Sequence, residues 1–304
     1  MNEHISVCIC TFKRSELLKF LLNKLQYQQT EGLFTYSIVV VDNDCNMSAK
    51  SVVNEMLNKT SVPIYYFIEP EQNIALARNK AVQNADGRYI AFIDDDEFPV
   101  KCWLLNLYKT YKKYRPDGGV LGPVKPYFLE KPPKWLIKGK FCNRPLFKTG
   151  TIMHWSDTRT GNVLLNKKIL QDRQFVFSPE FRTGGEDVNF FKKMNEIGHV
   201  FIWSNNSPVY EIIPPNRCKK RYFLQRALLQ GSISLKYYGN IIKIKDKIFI
   251  FFKSMTAIFI YSFILPFSFF IGFHTFFKYL IKDFHHISRI FGLCRISFIR
   301  ERNF

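Results

Sequence analysis

The stretch Tyr89-Ile90-Ala91-Phe92-Ile93-Asp94-Asp95-Asp96-Glu97 decides how this chain is read. Five apolar residues run directly into four consecutive acids. The apolar part has the length and side-chain make-up of a buried strand. The acids behind it repel one another and resist desolvation, so each favours its neutral form unless a cation lies between them. Hard oxygen ligands at a strand end suit Mn²⁺ or Mg²⁺, and either ion suits a substrate diphosphate. Taken alone, the run reads equally well as a solvated acidic turn.

Its surroundings alternate strand and helix. Ile5–Thr11 is a β-rich run ending in the polar turn Thr11-Phe12-Lys13-Arg14. Ser15 is placed to cap a helix through about Gln28, with Leu17, Leu18, Leu21, Leu22 and Leu25 on one stripe. Tyr36–Val41 reads as a buried strand ending at Asp42-Asn43-Asp44, followed by a helix over 48–57 and a strand over 64–68. Asn73 is placed to cap a helix that runs to about Asn84. This spacing predicts a mostly parallel sheet covered by helices on both faces. Thr11, Asp42 and Asp94, each at the carboxyl end of a strand, then converge on one edge, where open α/β sheets bind ligands. Farther on, 99–114 reads as a helix and 123–150 as a long loop rich in Pro, Lys and aromatics. Short strands are expected at 163–165, 200–203 and 209–213. Gly184-Gly185-Glu186-Asp187 opens a helix to about Ile197. There is no internal repeat.

Composition separates the two ends of the chain. Of 304 residues 47% are hydrophobic, enough for one large domain with an appendage. The net charge is +19, yet residues 217–304 carry 16 Lys and Arg against 3 acids. That basic tail suits nucleic acid or an anionic membrane surface, and its density of Phe and Ile favours the membrane. Ser254–Phe273 is an uncharged run long enough to span a bilayer, with Pro266 inside it. Lysines precede it (Lys243, Lys245, Lys247, Lys253), and Lys278, Lys282 and Arg289 follow. Both flanks therefore belong on the cytoplasmic side, which a Pro-hinged re-entrant hairpin or two in-plane helices satisfies better than a single crossing. Residues beyond Lys282, among them Ile287, Ile290, Phe291, Ile296, Phe298 and Ile299 with Arg289, Arg295, Arg300 and Arg302, fit an interfacial helix. The expected division is a catalytic domain over 1–235 and a membrane-associated helical tail over 236–304. Seven cysteines without a CxxC pair read as free thiols in a reducing compartment. The N-terminal MNEHISVCIC has neither a cationic nor a long apolar region, so no signal peptide is expected and the catalytic part is placed in the cytoplasm.

In order and spacing, the Thr11–Arg14 turn, Asp42 after a buried strand, Ala77-Arg78-Asn79, Asp86-Gly87, the acidic run and Glu186-Asp187 at a helix start resemble family 2 glycosyltransferases of the GT-A fold, over about residues 4–230. The segment after Glu211, with Ile212-Ile213-Pro214-Pro215-Asn216-Arg217, Arg226-Ala227 and Gly231, looks like the branch that includes sugar transferases of succinoglycan biosynthesis. The resemblance implies a Rossmann-like sheet and an inverting transfer from a nucleotide sugar, UDP-linked by expectation. Thr11 and Arg14 would lie against the nucleobase, Asp42 would accept from uracil N3–H, and Arg78 would contact the nucleotide or its diphosphate. The family's metal motif is Asp-x-Asp. Here Asp94 and Asp96 fill it, on the expectation that strand alternation points them the same way, and Asp95 becomes a sugar or ribose contact. Asp187, paired with Glu186, would be the general base on the acceptor hydroxyl. A plain acidic first turn of a helix is the alternative for that pair. Arg217, Arg221 and Arg226 either close over a diphosphate or face a membrane. Trp135 and Trp155 either stack on sugar rings or pack internally.

The expected partners are a nucleotide-sugar donor, a saccharide or polyprenyl-linked acceptor and the inner leaflet of the cytoplasmic membrane, with no nucleic acid. A nucleotidyltransferase making the nucleotide sugar, or a non-catalytic membrane-attached scaffold, are the competing classes.

Overall fold

Alternation along the first strand sets the two layers of the core. In β1 (Glu3–Thr11) Ile5, Val7 and Ile9 point to one face of the sheet and Cys8 to the other. The computed structural model describes residues 3–170, 176–182, 184–237, 242–294 and 296. After β1 come α1 (Ser15–Leu25), β2 (Phe34–Asp42), α2 (Lys50–Leu57), β3 (Ile64–Ile68), α3 (Ile74–Gln83), β4 (Tyr89–Ile93), β5 (Glu97–Pro99) and α4 (Trp103–Tyr114). Then follow β6 (Gly119–Leu121), β7 (Val124–Phe128), α5 (Lys134–Lys138), β8 (Asn162–Asn166), α6 (Glu186–Glu196), β9 (Phe201–Trp203) and β10 (Val209–Ile213). The chain ends in α7 (Lys220–Lys236), α8 (Ile244–Ile271) and α9 (Phe273–Leu293).

Seven strands form one sheet in the order β3-β2-β1-β4-β8-β6-β9. Pairing is parallel from β3 through β4 and between β6 and β9, while β8 runs antiparallel to both of its neighbours. Leu18, Leu21, Leu22 and Leu25 of α1, Val53 and Met56 of α2 and Trp103 of α4 cover the Ile5–Val7–Ile9 face. Ala75, Ala77 and Ala81 of α3 with Phe190, Phe191 and Met194 of α6 cover the other. The expected mostly parallel α/β sheet, helices on both faces, is what the residues build. A second sheet, β5-β10-β7, has three strands.

Several local expectations are corrected. The residue ahead of α1 is Arg14, and Ser15 is already helical and caps nothing. The helix expected over 99–114 begins at Trp103, because 97–99 pairs with β10 instead. The long loop expected over 123–150 contains β7 and α5. In the tail the helix does not break at Pro266. α8 runs unbroken through that proline, and the chain turns at Gly272, whose φ of +140° is open to glycine and strained for other residues.

The chain divides into two compact units, Met1–Tyr127 with Arg144–Ile212, and Phe128–Asn143 with Ile213–Phe304. The sequence reading sets its boundary near 235, whereas α7 falls in the second unit because it packs on α9. Gly231 allows that approach: a Cβ there would stand 2.4 Å from the His285 carbonyl oxygen. Trp135, Leu136, Phe141, Phe223, Phe273 and Phe277 form the aromatic core of this unit, so Trp135 is a packing residue. α8 and α9 form an antiparallel hairpin, in which Tyr261 meets Tyr279 and His286, Ser262 donates to Asp283 and Phe269 meets Phe276. α8 is long and apolar enough to cross a membrane, with a mean hydropathy of 2.0 over its most apolar window. Of the interfacial residues expected beyond Lys282, Arg295, Phe298, Ile299, Arg300 and Arg302 lie outside the described residues.

Candidate active site

The parallel register of β1 and β2 sets Thr11 beside Asp42, and the turn after β4 brings the acidic run next to both. β4 ends at Ile93, so Asp94, Asp95 and Asp96 lie in a tight turn where strand alternation no longer applies. The three acids consequently divide between two arginines. Arg14 reaches over from the turn after β1 to Asp95 at 3.0 Å and Asp96 at 3.3 Å. Thr11 Oγ1 donates to the second Asp95 oxygen at 2.9 Å. Asp94 turns the other way, where Arg78 on α3 donates to it at 3.1 Å. The same guanidinium pairs with Glu186 at the start of α6. Asp94 and Asp96 therefore do not point together, as alternation would have them. They flank Asp95, facing different arginines.

Burial differs sharply across the run. The Asp94 side chain is 42% exposed, while Asp95, Asp96 and Glu97 are buried. Burial pushes the Asp95 carboxyl up to about 6 against the pull of Arg14, with Asp96 adding to the rise. Burial likewise drives Glu97 well above the usual carboxylate range, with Asp94 adding to it and Arg144 opposing. Glu97 Oε2 accepts the Asp94 backbone N–H at 3.3 Å, fastening the turn, while its other oxygen is buried without a hydrogen-bond partner. Glu97 lies opposite Glu211 in the β5–β10 pair, and Arg144 holds Glu211 at 2.8 Å. Gly161 approaches this corner closely: a Cβ there would stand 2.6 Å from Glu97 Oε1 and 3.1 Å from Asp94 Oδ2.

Asp42 is fully buried and its oxygens already have donors. Oδ2 accepts from Ala49 N–H at 2.7 Å and the Tyr66 hydroxyl at 2.9 Å, while Oδ1 accepts from Asp44 N–H at 3.2 Å and Ser48 at 3.4 Å. It clasps the 42–49 loop and caps the approach to α2. Asn43 fastens the same loop to the carbonyls of Glu69 and Glu71 and accepts the Asn73 N–H. Asn73 caps α3 as its sequence position predicts, and its amide also holds the Pro179 carbonyl. Asn79 bonds both backbone groups of Phe177. α3 thus carries Arg78 into the site and, on either side of it, fastens the segment that leads to α6.

At α6 the backbone rather than a side chain makes the entry. Gly184 and Gly185 have φ of +125° and +93°, and Gly185 stands where a capping side chain would. Glu186 is buried with Arg78 on one oxygen, and its Oε2 has no partner. Asp187 is half-buried and bonded at Oδ1 by the Val188 N–H at 2.7 Å. Of the pair, Glu186 enters the cluster and Asp187 stands next to it.

Among the described residues, no group of three or more His, Cys, Asp or Glu stands ready-made to hold a metal. The donor set nevertheless fits Mg²⁺ or Mn²⁺. It consists of oxygens only, with one well-exposed carboxylate in Asp94, and Mg²⁺ is commonly held by one or two carboxylates completed by substrate phosphates. Arg14 and Arg78 supply the positive charge meanwhile. Sequence reasoning counted Glu97 among the four acids without giving it a partner, and gave no role to Arg144, Glu211 or Gly161. Trp155 lines a hollow of about 450 Å³ with Ile152, Met153, His154, Asn195 and Glu196, which shares no residue with the acidic cluster. Arg217, Arg221 and Arg226 fall in the second unit, where Arg226 donates to the Tyr222 hydroxyl.

The sequence pattern of Glycosyl transferase family 2 matches residues 6–173. Over 234 residues the chain is 32% identical to the succinoglycan biosynthesis protein ExoM of Rhizobium meliloti (strain 1021), covering 75% of this chain and 73% of that protein. Among solved structures, S. aureus TarS 1–349 in complex with UDP-GlcNAc has a TM-score of 0.56 at 15% identity, over 95% of this chain and 90% of that one. The longer TarS structure is matched over 47% of its length and 81% of this chain, with a TM-score of 0.52 at 16% identity. The mannosyltransferase PcManGT from Pyrobaculum calidifontis, solved with GDP-Man and Mn²⁺, has a TM-score of 0.56 at 17% identity, over 81% and 70%. At these identities the structural likeness is one of fold.

Proposed function

The chain belongs to glycosyl transferase family 2, and from that we propose that it is a metal-dependent, inverting enzyme that moves a sugar from a UDP-linked donor onto a saccharide or polyprenyl-linked acceptor in cell-surface polysaccharide synthesis. The observation that carries this is Arg78. One guanidinium joins the acidic turn after β4 to Glu186 at the head of α6, bringing the donor motif and the acceptor motif into one cluster. Membership in the family removes the ground for a nucleotidyltransferase or a non-catalytic scaffold.

In this reading the 42–44 turn, clasped from within by Asp42, meets the uracil, and Thr11 and Arg14 lie beside it. The Arg78 nitrogen that faces Asp94 turns to a diphosphate oxygen while its other nitrogen keeps Glu186, a division the guanidinium fork allows. Asp94 and Asp96 would hold Mn²⁺ or Mg²⁺, and Asp95 would contact the ribose or sugar. The ion, when bound, supplies positive charge to the departing nucleoside diphosphate. Asp187 takes the proton of the acceptor hydroxyl. That oxygen attacks the anomeric carbon from the face opposite the diphosphate, the C–O bond to the diphosphate breaks, and configuration inverts. Glu186, held by Arg78, fixes the first turn of α6 from which Asp187 projects. The similarity to ExoM and the exposed apolar α8 support placement on the cytoplasmic face of the cell membrane, where a lipid-linked acceptor is met.

The test is a donor screen with detergent-solubilised full-length protein. Release of UDP from one UDP-sugar in a panel, abolished by EDTA and restored by Mn²⁺ or Mg²⁺, is the expected result. Undiminished turnover in EDTA would remove the metal from the reading. Turnover confined to a GDP-sugar would remove the uracil.

A further inference from the structure

Resting on the membrane attachment just proposed, we infer that the α8–α9 hairpin lies flat in one leaflet, with α8 as the lipid-contacting helix and α9 at headgroup level, and does not insert tip-first. α9 is the middle helix of the second unit. It meets α7 through Gly231 and through Ser232 and Ser288, whose hydroxyls are 2.9 Å apart, and it meets α8 along the hairpin. α8 is left outermost, with only 11% of its most apolar window buried.

The uncovered surface is a stripe along the whole of α8. Phe252, Phe259, Phe263 and Phe270 are 64%, 75%, 65% and 88% exposed, at spacings of seven, four and seven that align them on one face. Phe249 and Phe267 widen it, and Ile248 and Ile271 extend it at either end. A helix of 28 residues is about 42 Å long, against a hydrocarbon thickness of about 30 Å. A stripe of that length, aromatic at both ends, suits a surface parallel to it.

The charges on α9 decide between the two orientations. The hairpin register sets Asp283 level with Ser262 and puts the Lys282 ammonium 5.0 Å from the Tyr261 ring. Ser262 is ten residues from the turn at Gly272, or about 15 Å along the helix. Inserted tip-first across the leaflets, Lys282, Asp283 and His286 would sit at the bilayer midplane, where ionisable side chains are costly. Exposed Lys278, nearer the tip, would be carried through the hydrocarbon as well. Lying flat, the same hairpin keeps exposed Lys278 and Lys282 among headgroups; Lys243 and Lys247 at the start of α8 add to them, while Lys245, seven residues before Phe252 and so on the stripe's own face, reaches the headgroups along its flexible stem. That row of lysines is complementary to anionic lipid.

The experiment uses full-length protein on vesicles of 70% phosphatidylcholine and 30% phosphatidylglycerol. A nitroxide is attached through p-acetylphenylalanine at successive exposed α8 positions from Phe249 to Phe270, leaving the cysteines in place. Its depth is read from collisions with oxygen and with a water-soluble nickel chelate. The expected profile oscillates with a 3.6-residue period about a constant mean depth. A steady deepening from Phe249 to Phe270 overturns the flat orientation while leaving membrane attachment standing. Low collision with both reagents along the stripe means a second copy of the chain covers it, and overturns the lipid contact. Failure to float with the vesicles overturns the attachment itself. Replacing Lys278 and Lys282 together by Gln should weaken partitioning onto these vesicles roughly 30-fold and leave it unchanged on pure phosphatidylcholine. An equal loss on both compositions speaks against the headgroup placement of α9.

Discussion

Removing the Arg78 guanidinium takes from buried Glu186 and from Asp94 the cation that pairs with both. Breaking a buried ion pair from one side is expensive, so Arg78→Ala is expected to lower the unfolding free energy by about 3–5 kcal/mol in urea denaturation. Arg78→Lys keeps the charge but not the fork that spans two carboxylates, and should recover part of the stability and little of the donor affinity. Asp187 makes the opposite case. Its side chain is half-buried and, among the described residues, bonded to the neighbouring N–H of Val188, so Asp187→Asn should fold normally. Turnover should fall by roughly 10²-fold or more, the usual loss when a general base is removed. UDP binding by titration calorimetry should be unaltered; a collapse of UDP affinity with turnover preserved at saturation would make Asp187 a binding residue.

Strands and helices of the first unit were legible in the sequence because their patterns are local. Tyr89–Ile93 is a run of five apolar residues, and Asn73 announces α3 through its own side chain. The acidic turn was legible as a cluster but not as a geometry, since alternation fails once the strand ends at Ile93. Glu97 was legible as the last of four acids, but its meeting with Glu211 and the hold of Arg144 were not. Glu97 and Glu211 meet through an antiparallel register between distant strands, and Arg144 sits in a stretch with no periodicity to read. The turn at Gly272 was missed in favour of Pro266 because a proline announces a break in sequence, whereas a helix tolerates it where neighbours compensate. Gly161, at the entry to β8, gives this level its prediction. In Gly161→Ala the new methyl must displace Glu97 or Asp94, and overpacking of this kind costs about 1–3 kcal/mol. The expected result is a drop in kcat/KM of about tenfold or more with the circular dichroism spectrum unchanged. Wild-type kinetics would mean that the carboxylates have room to move aside.

Attachment to the membrane can be tested without cutting the chain. Truncation near Lys247 would remove α9 and strip Phe277 from the core it shares with Trp135 and Phe223, so loss of membrane binding would be confounded with unfolding of the second unit. Replacing Phe252, Phe259, Phe263 and Phe270 together by Ser touches only exposed positions. The quadruple variant is expected in the soluble fraction after centrifugation, with turnover on a water-soluble acceptor retained. Continued pelleting with membranes would assign attachment to another part of the chain. The strand order β8-β6-β9 has a further consequence, for biosynthesis. β6 is complete by Leu121, yet the neighbour on its outer side, β9, is not made until Trp203. From the completion of β8 at Asn166, through which β6 joins the sheet, until β9 is added, Gly119–Leu121 is an apolar edge with unpaired backbone groups, a template for wrong partners. The closure from Arg78 to Glu186 spans 108 residues and comes equally late. Contacts so distant in sequence make for slow folding. The nascent chain therefore passes through a long interval in which an open sheet edge invites aggregation, and its yield in the cell should depend on holdase chaperones more than its final stability suggests.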